Sequence, residues 1–302
     1  MAVVIQIENL VKRYKELVAL DHLNLEVEEG EIFGLLGPNG SGKSTTINCI
    51  LALLKYDKGT VKVFGREMKP DSYDIKREIG VVMQDVAVFD ELTVYENVDY
   101  FCGLYIRDKG LRKQYVEDAI AFVGLDEFRE FYPKKLSGGL LRRLNIACGI
   151  AHKPKLIFFD EPTVAVDPQS RNKILEGIQK LNEEGATIVY TTHYMEEADA
   201  ADYVVVLDGG KIAARGTPAL LKREYAADSL KLYGEVSALM GLIKDMQAEA
   251  VPFAGGIKIK LADTLAALPL LKRVSGAITG FEVAMGNMDD AFIGITGKEI
   301  RE

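Results

Sequence analysis

The 302-residue sequence lacks several features that would assign it to common classes of protein. No apolar run approaches the ~20 residues that a membrane-spanning helix requires. Met1–Asn9 lack the charged and apolar regions of a signal peptide. The cysteines Cys49, Cys102 and Cys148 have no paired spacing, which indicates small core residues and not a disulfide framework or a metal site. We therefore expect a soluble, cytoplasmic protein.

Basic residues are also too few for a nucleic-acid-binding protein. The chain has 37 Lys and Arg against 45 Asp and Glu, a net charge of −8. Because binding a phosphate backbone needs a basic face, we expect no nucleic acid as the main partner. We find no internal repeat and no low-complexity segment. What is present is a 48% hydrophobic composition and a length sufficient for roughly two domains.

The most informative stretch is a glycine-rich turn between an apolar run at Ile32–Leu36 and an amphipathic helix. Strand, glycine-rich turn and helix are the context of a phosphate-binding P-loop. Glycines allow successive N–H groups to converge on one anion, and the helix adds its positive N-terminus. A chance glycine-rich turn is the alternative, which this context disfavours. The turn comprises Gly37, Pro38, Asn39, Gly40, Ser41, Gly42, Lys43, Ser44 and Thr45.

Alternating strands and helices predict an α/β nucleotide-binding core with a helical subdomain at about 86–153. In the last helix of that subdomain we expect Leu144, Ala147 and Cys148 inside and Arg142 and Arg143 outside. We place the core at 1–222 and a small accessory α+β domain, of order β-α-β-α-β-α, at 223–302.

Polar residues at strand ends add candidate chemistry. The apolar run Leu156–Phe159 ends in Asp160 and Glu161, and buried unpaired carboxylates are costly. Beside a P-loop, Asp160 can hold Mg²⁺ and Glu161 can act as a base toward water. The alternative is that both cap the turn at Pro162, and the pair alone does not decide between these interpretations.

Three further elements are ambiguous on their own. His193 ends a predicted strand, where it could contact a γ-phosphate or serve only packing. Gln84 also follows a strand and could reach Mg²⁺ and water. Ser137, Gly138 and Gly139 predict an open helix N-terminus, which is an anion site or a plain helix start.

Taken in order, the P-loop, Gln84, Leu136-Ser137-Gly138-Gly139, Asp160-Glu161, Asp167 and His193 resemble the ATP-binding cassette (ABC) family of transporter ATPases over about residues 3–220. The resemblance implies a P-loop NTPase core of ABC type, with an antiparallel β subdomain and a helical subdomain.

The resemblance also implies roles for individual residues. Tyr14 would stack on adenine, and 37–45 would bind the phosphates, with Lys43 reaching the β- and γ-phosphates. Ser44, Gln84 and Asp160 would hold Mg²⁺, Glu161 would be the general base, and His193 would contact the γ-phosphate. Ser137, Gly138 and Gly139 would hold the γ-phosphate bound on the other subunit, and Asp167 would lie in the loop that crosses between subunits.

Two departures from the family pattern stand beside these roles. Leu140 replaces the usual Gln, which removes a side chain that could touch ribose. Val164-Ala165-Val166 precedes Asp167 in place of the commoner Ser-Gly-Leu or Ser-Ala-Leu.

The segment Met288–Gly297 looks like the ending of exporter ATPases for drugs, lipids and antibiotics.

The resemblance therefore implies an ATPase that uses ATP and Mg²⁺ and pairs with a second cassette, either itself or a related chain. It would drive a separate transmembrane permease, contacted through about Thr93–Tyr132, from the inner face of the cell membrane. An importer ATPase, a soluble non-transport ABC ATPase and a binding-only subunit remain alternatives. The sequence does not indicate the cargo.

Overall fold

The computed structural model describes residues 2–246 and 249–297. The chain folds into two compact units, Met1–Gly216 and Thr217–Glu302. We expected the boundary after residue 222, which lies inside the helix Pro218–Tyr225. That helix packs against Met288–Thr296 within the second unit, so the structure divides the chain a few residues earlier.

The first unit combines an antiparallel sheet, a mostly parallel sheet and a group of helices. The antiparallel sheet has the order β2-β1-β4-β5, and the other has the order β10-β9-β3-β8-β7-β6. Its elements in chain order are β1 (Val3–Tyr14), β2 (Leu17–Glu28), β3 (Ile32–Leu36), α1 (Lys43–Ile50), β4 (Lys58–Val63), β5 (Arg66–Glu67), α2 (Tyr73–Lys76), β6 (Ile79–Val82), α3 (Val94–Gly103), α4 (Lys109–Phe122), α5 (Gly138–Ile150), β7 (Leu156–Asp160), α6 (Pro168–Glu183), β8 (Thr187–Thr192), β9 (Tyr203–Asp208) and β10 (Lys211–Gly216).

The central parallel strands position everything that follows them. Every residue of β3, β7 and β8 is buried, as expected for parallel strands covered on both faces. Leu36 lies opposite Thr192, and Asp160 lies opposite Thr191. Because the three strands run parallel in this register, the segments that follow them leave the sheet at one edge.

The helices predicted between β6 and β7 are present, and each begins at a side-chain cap. Thr93 and Glu96 form a reciprocal capping box at the start of α3. Asp108 caps α4, and the Ser137 hydroxyl accepts a hydrogen bond from Leu140 N–H at the start of α5. These caps satisfy N–H groups that a helix start leaves unpaired, and so fix where each helix begins.

The inward face of α5 was predicted in part. Leu144, Ala147 and Cys148 are buried as expected. The expectation that Arg142 points outward is wrong, because its side chain is only 3% exposed. A charged side chain tolerates such burial only when its donors are satisfied, and those of Arg142 bind main-chain carbonyl groups.

The structure also bears on two expectations from the sequence, one about the cysteines and one about membrane-spanning helices. Cys49, Cys102 and Cys148 are free and buried, as predicted. No helix within residues 2–246 and 249–297 is both long and apolar enough to cross a membrane.

The second unit is a β-α-β-β-α-β arrangement flanked by two further helices. Its antiparallel sheet has the order β12-β13-β11-β14, which is that of a ferredoxin-like fold. One sheet face packs against α8 and α9 around Leu230, Leu232, Ile257 and Ile259. The elements are α7 (Pro218–Tyr225), β11 (Asp228–Gly234), α8 (Val236–Ile243), β12 (Ala250–Phe253), β13 (Gly256–Leu261), α9 (Ala267–Val274), β14 (Ile278–Ala284) and α10 (Met288–Thr296).

Strand β12 corrects the predicted β-α-β-α-β-α order. It has four residues and includes Pro252, whose missing N–H restricts it to an edge position. The helix predicted at 238–248 is α8 followed by a 3₁₀ turn at Lys244–Met246, and residues 247–248 lie outside the described residues. A short strand containing proline carries too weak a pattern for prediction from sequence.

A buried histidine lies just after α5, the last helix of the helical region. The His152 ring is stacked on Tyr105, with centroids 3.8 Å apart and an interplanar angle of 9°. Its Nε2 lies 3.1 Å from the Ile79 carbonyl oxygen. Burial lowers the pKa of His152 to about 4, so the imidazole is neutral in the folded protein near neutral pH.

This burial predicts a loss of stability as the pH falls. The folded pKa lies below the ordinary histidine value of 6.5, so the unfolded chain binds the proton more readily and acid favours unfolding. Between pH 7.5 and 6.0 we expect His152 to remove about 0.8 kcal/mol from the free energy of unfolding, and His152→Gln to abolish that part. Urea unfolding of both proteins at the two pH values measures the difference.

The range stops at pH 6.0 because the isoelectric point, near 5.2, favours precipitation below it. The exposed His22→Gln is the control for exchanging an imidazole for an amide. If wild type and His152→Gln lose stability equally, His152 is not held neutral by the fold.

Candidate functional site

The P-loop occupies the turn between β3 and α1, and its backbone requires glycine. Gly37 has φ 152°, and a Cβ there would lie 2.3 Å from the Leu207 carbonyl oxygen. Gly42, the N-cap of α1, has φ 109°, and a Cβ there would lie 2.8 Å from the Ala19 carbonyl oxygen. Both positions exclude side chains, so the loop backbone can approach an anion at the start of α1.

Lys43 lies inside this loop and contacts the carboxylate of Glu161, the first residue after β7. Its ammonium donates a hydrogen bond to the Gly37 carbonyl at 2.8 Å and is 3.3 Å from Glu161 Oε1. Lys43 and Glu161 are 5% and 6% exposed. A buried charge pair of this kind fixes both side chains, because separating them would leave each charge uncompensated.

The loop also contains a buried hydroxyl with free hydrogen-bonding capacity. Ser41 is 2% exposed, and its Oγ has no hydrogen-bond partner among the described residues. Buried polar atoms are normally satisfied, so an unpaired one at a glycine-rich helix start fits a loop shaped for phosphate oxygens.

Oxygen ligands converge beside the loop. The Ser44 hydroxyl is 3.2 Å from Asp160 Oδ1, and the Thr191 hydroxyl donates to the same oxygen at 2.6 Å. The described residues contain no cluster of three or more His, Cys, Asp or Glu side chains that could hold a metal ion alone. One carboxylate and one hydroxyl suit Mg²⁺ that arrives with a phosphate ligand and keeps its waters.

Glu161 is held on both its side chain and its main chain. His193 Nδ1 lies 3.1 Å from Glu161 Oε2. The Glu161 backbone is left-handed, with φ 47°, and its N–H donates to Thr191 Oγ at 2.9 Å. A non-glycine residue in this conformation is strained, and such strain concentrates at functional sites.

The structure thus brings together five of the residues singled out from the sequence: Lys43, Ser44, Asp160, Glu161 and His193. Side chains able to bind phosphate, hold a divalent cation and accept a proton from water share one edge of the sheet. This set is suited to phosphoryl transfer to water.

Other predicted site residues lie on the surface of the unit. Gln84 is exposed, and among the described residues no hydrogen bond joins its side chain to Ser44 or Asp160. Tyr14 is 46% exposed at the end of β1, with Lys12 Nζ over its ring at 4.9 Å.

The Leu-Ser-Gly-Gly element also faces outward. Ser137 and Gly138 are exposed, and no hydrogen bond in the described chain joins them to the P-loop. Gly139 is buried against the start of α6, where a Cβ would lie 2.6 Å from Ser170 Oγ and 3.4 Å from Asp167 Oδ2. Asp167 caps α6, and hydrogen bonds from Ser170 lower the pKa of its carboxyl group.

Sequence reasoning missed two residues that hold the site in place. Thr191 bridges Asp160 and the Glu161 backbone. Arg142 donates to main-chain carbonyl groups on both sides of the candidate site. Neither has a sequence signal of its own, because both act through contacts that only the folded chain creates.

Comparisons with known proteins agree with this geometry. The model of the family described as "ABC transporter" matches residues 20–164. The linearmycin resistance ATP-binding protein LnrL of Bacillus subtilis is 39% identical over 75% of this chain and 73% of its own length. The daunorubicin/doxorubicin resistance ATP-binding protein DrrA of Streptomyces peucetius is 33% identical over 97% of this chain and 92% of its own.

A solved structure is similar in fold. It is described as a dimeric, post-hydrolysis state of the ATP-binding cassette MJ0796 bound to ADP and Pi. It covers 70% of this chain and 98% of its own, with 30% identity and a TM-score of 0.65.

The unpaired hydroxyl of Ser41 gives a test of the phosphate loop. Ser41→Ala should leave the free energy of unfolding within about 0.5 kcal/mol, because the hydroxyl has no described partner in the free chain. It should weaken ATP binding about tenfold or more, since a hydrogen bond to a charged group contributes about 1.5–3 kcal/mol. Urea unfolding and calorimetric titration with ATP measure the two quantities.

Thr46→Val is the matched control, because the Thr46 hydroxyl already donates to the Gly42 carbonyl at 2.8 Å. There we expect a loss of stability in the free chain. A Ser41→Ala protein that loses stability but keeps its ATP affinity would contradict the assignment of this hydroxyl to phosphate.

Proposed function

The chain belongs to the ABC transporter family and is an ATPase of that family, and on this premise we propose that it powers a separate membrane permease that exports its cargo. The observation that carries the proposal is the buried contact of Lys43 with Glu161 inside a phosphate-binding loop, with Asp160 and Ser44 beside it. MgATP is the substrate that fits this set.

Substrate binding would rearrange the contacts of Lys43. In the free chain its ammonium is shared between the Gly37 carbonyl and Glu161. The β- and γ-phosphates compete for that ammonium, and their charge outweighs that of one carboxylate. Binding therefore separates Lys43 from Glu161 and leaves the carboxylate available to accept a proton.

Hydrolysis then follows from the remaining contacts. Glu161 accepts the proton of the attacking water, and His193, 3.1 Å from Glu161 Oε2, orients that water and the γ-phosphate. Asp160, Ser44 and Gln84 would hold Mg²⁺, which would neutralise charge on the phosphates. Tyr14 stacks on the adenine. Thr191 holds the side chain of Asp160 and the backbone of Glu161 in fixed positions relative to each other.

A second cassette would complete the site. Ser137 and Gly138 are exposed at a helix N-terminus, and no hydrogen bond among the described residues joins them to the P-loop of their own chain. Such a helix N-terminus can bind the γ-phosphate held by another chain. Asp167 lies against Gly139 at the same helix N-terminus. The dimeric state of the similar solved cassette supports this arrangement.

Two kinds of observation support export and a location at the inner face of the cell membrane: the names of the relatives and the exposed surface of the helical region. Both relatives are named as resistance ATP-binding proteins for antibiotics. The α+β second unit differs from the β-rich regulatory domain expected of an importer ATPase. Exposed apolar side chains on the helical region offer a permease contact: Phe89, Tyr100, Leu104, Phe131 and Tyr132.

The role of Glu161 and the composite site can be tested together. Glu161→Gln cannot accept a proton, so hydrolysis should fall by about 10²–10⁴-fold. The amide removes a negative charge beside the γ-phosphate, so ATP should bind at least as well. The variant should accumulate as a dimer in size-exclusion chromatography with MgATP and remain monomeric with ADP.

Glu196→Gln makes the same exchange on an exposed side chain close in sequence to His193 and is the control. Ser137→Arg added to Glu161→Gln should abolish the dimer and spare nucleotide binding by the monomer. A Glu161→Gln protein that hydrolyses ATP at the wild-type rate would remove Glu161 from the role of base.

The permease contact gives a separate prediction. Leu104→Ser and Tyr132→Ser should lower export while basal ATPase activity is kept, because both side chains are exposed on the proposed contact. Leu53→Ser is the matched control, because Leu53 is 65% exposed and lies outside that region. The assay requires the permease, identified by affinity purification from detergent-solubilised membranes. Unchanged export in both variants would place the contact elsewhere.

A further inference from the structure

One buried side chain joins the loops on either side of the candidate site. The guanidinium of Arg142 donates to the carbonyl oxygens of Met83 and Gln84, at 2.7 and 2.8 Å. It also donates to those of Asp160, Glu161 and Pro162, at 3.2, 2.9 and 2.8 Å. All five acceptors are main-chain carbonyl oxygens.

The guanidinium of Arg142 is a buried positive charge, and removing it from water is unfavourable. Arg142 is 3% exposed, and desolvation lowers its pKa, against the opposing effect of Asp160, Asp85 and Glu161. Charge-assisted hydrogen bonds to carbonyl groups offset the burial. The planar fork reaches two separate loops at once, which a lysine ammonium cannot do in the same geometry.

The contact with Glu161 matters most, because this residue has a strained backbone. Its φ of 47° lies in the left-handed region. Two hydrogen bonds with side chains hold its peptide groups, beside a longer one of 3.4 Å from Val164 N–H to its carbonyl oxygen. Its N–H donates to Thr191 Oγ, and its carbonyl accepts from Arg142 Nη2. A strained conformation persists only where its surroundings over-determine it, and the two side-chain bonds contribute to that constraint.

Helix α5 connects the Arg142 side chain to the exposed Leu-Ser-Gly-Gly element at the start of the helix. Near its end, α5 packs directly on β6, where a Cβ at Gly80 would lie 2.6 Å from the Gly149 carbonyl oxygen. Arg142 lies toward the other end, one turn from the exposed Ser137 cap. The helix is therefore fixed at one end by close packing and linked at the other to the Glu161 main chain.

We propose that Arg142 is a positioning residue for ATP hydrolysis, which holds the Glu161 backbone in its left-handed conformation and so aims the carboxylate at the attacking water. This inference rests on the proposed function, since it requires Glu161 to be the base. Arg142 would act through the Glu161 main chain, to which it donates a hydrogen bond. Displacing a catalytic group by about 1 Å can cost about 10²-fold in rate, so a loosened Glu161 has a measurable effect.

The test is a double-mutant cycle between Arg142 and Glu161 in the full-length protein. Arg142→Lys keeps the charge but not the planar fork, and should lower kcat about 10- to 100-fold with the dissociation constant for MgATP unchanged within about threefold. In the Glu161→Gln background the same substitution should have no further effect on residual hydrolysis, because the group that Arg142 positions is already inactive.

Arg143→Lys is the matched control. It makes the same exchange at the next position of α5, where Arg143 donates to the carbonyl groups of Val123 and Gly124. We expect wild-type kcat. Rates are normalised to bound nucleotide, so that unfolded protein is not counted, and Arg142→Gln is used in the cycle if the lysine variant melts below the assay temperature.

The outcomes separate the inference from the proposed function. An equal loss of kcat in both backgrounds, or a loss of ATP affinity with kcat unchanged, would overturn the positioning role and leave Glu161 as the base. Wild-type hydrolysis by Glu161→Gln alone would overturn the assignment of the base, and the positioning role with it.

Discussion

The register of three buried parallel strands is the constraint on which the site depends. β3, β7 and β8 lie side by side, with Leu36 opposite Thr192 and Asp160 opposite Thr191. A shift of one residue in β7 would exchange the faces of Asp160 and Glu161 and separate Lys43 from its partner. The apolar residues of these strands are buried on both faces, so the packing that stabilises the core also fixes the chemistry at its edge.

The sequence predicted those parts of the site that local pattern encodes. A glycine-rich turn between a strand and a helix, and carboxylates at the end of an apolar run, need no knowledge of the fold, because strand ends of a parallel sheet meet at one edge. Arg142 could not be predicted in the same way. Its partners are main-chain carbonyl groups that come near it only after β6, β7 and α5 pack together, and an arginine on an amphipathic helix ordinarily faces solvent. The edge strand β12 was missed for a different reason, since four residues with one proline carry almost no periodicity.

The segment that follows β7 contains two of the eight non-glycine residues with positive φ in the described chain. Glu161 and Ala165 both have positive φ, at 47° and 58°, and each such residue costs about 1–3 kcal/mol. The fold retains this cost because side chains of β8 and α5 hydrogen-bond to the main chain of Glu161, Thr191 Oγ accepting from its N–H and Arg142 donating to its carbonyl oxygen. The same segment leads into the Asp167 cap of α6, so a displacement at the start of α6 would reach the turn that holds the carboxylate.

The difference in exposure between the two phosphate-binding elements gives the argument for a two-chain reaction. Lys43 is buried with its counter-charge, whereas Ser137 and Gly138 present a helix N-terminus to solvent. A triphosphate in the P-loop of one chain would keep its γ-phosphate partly hydrated, and hydration weakens the electrostatic contacts that hydrolysis requires. A second chain that covers the phosphate with its α5 N-terminus excludes that water and supplies donors at once. Because α5 also carries Arg142, the helix that covers the phosphate of the partner is the helix that holds Glu161 of its own chain, and each site of the proposed pair depends on the docking of the other.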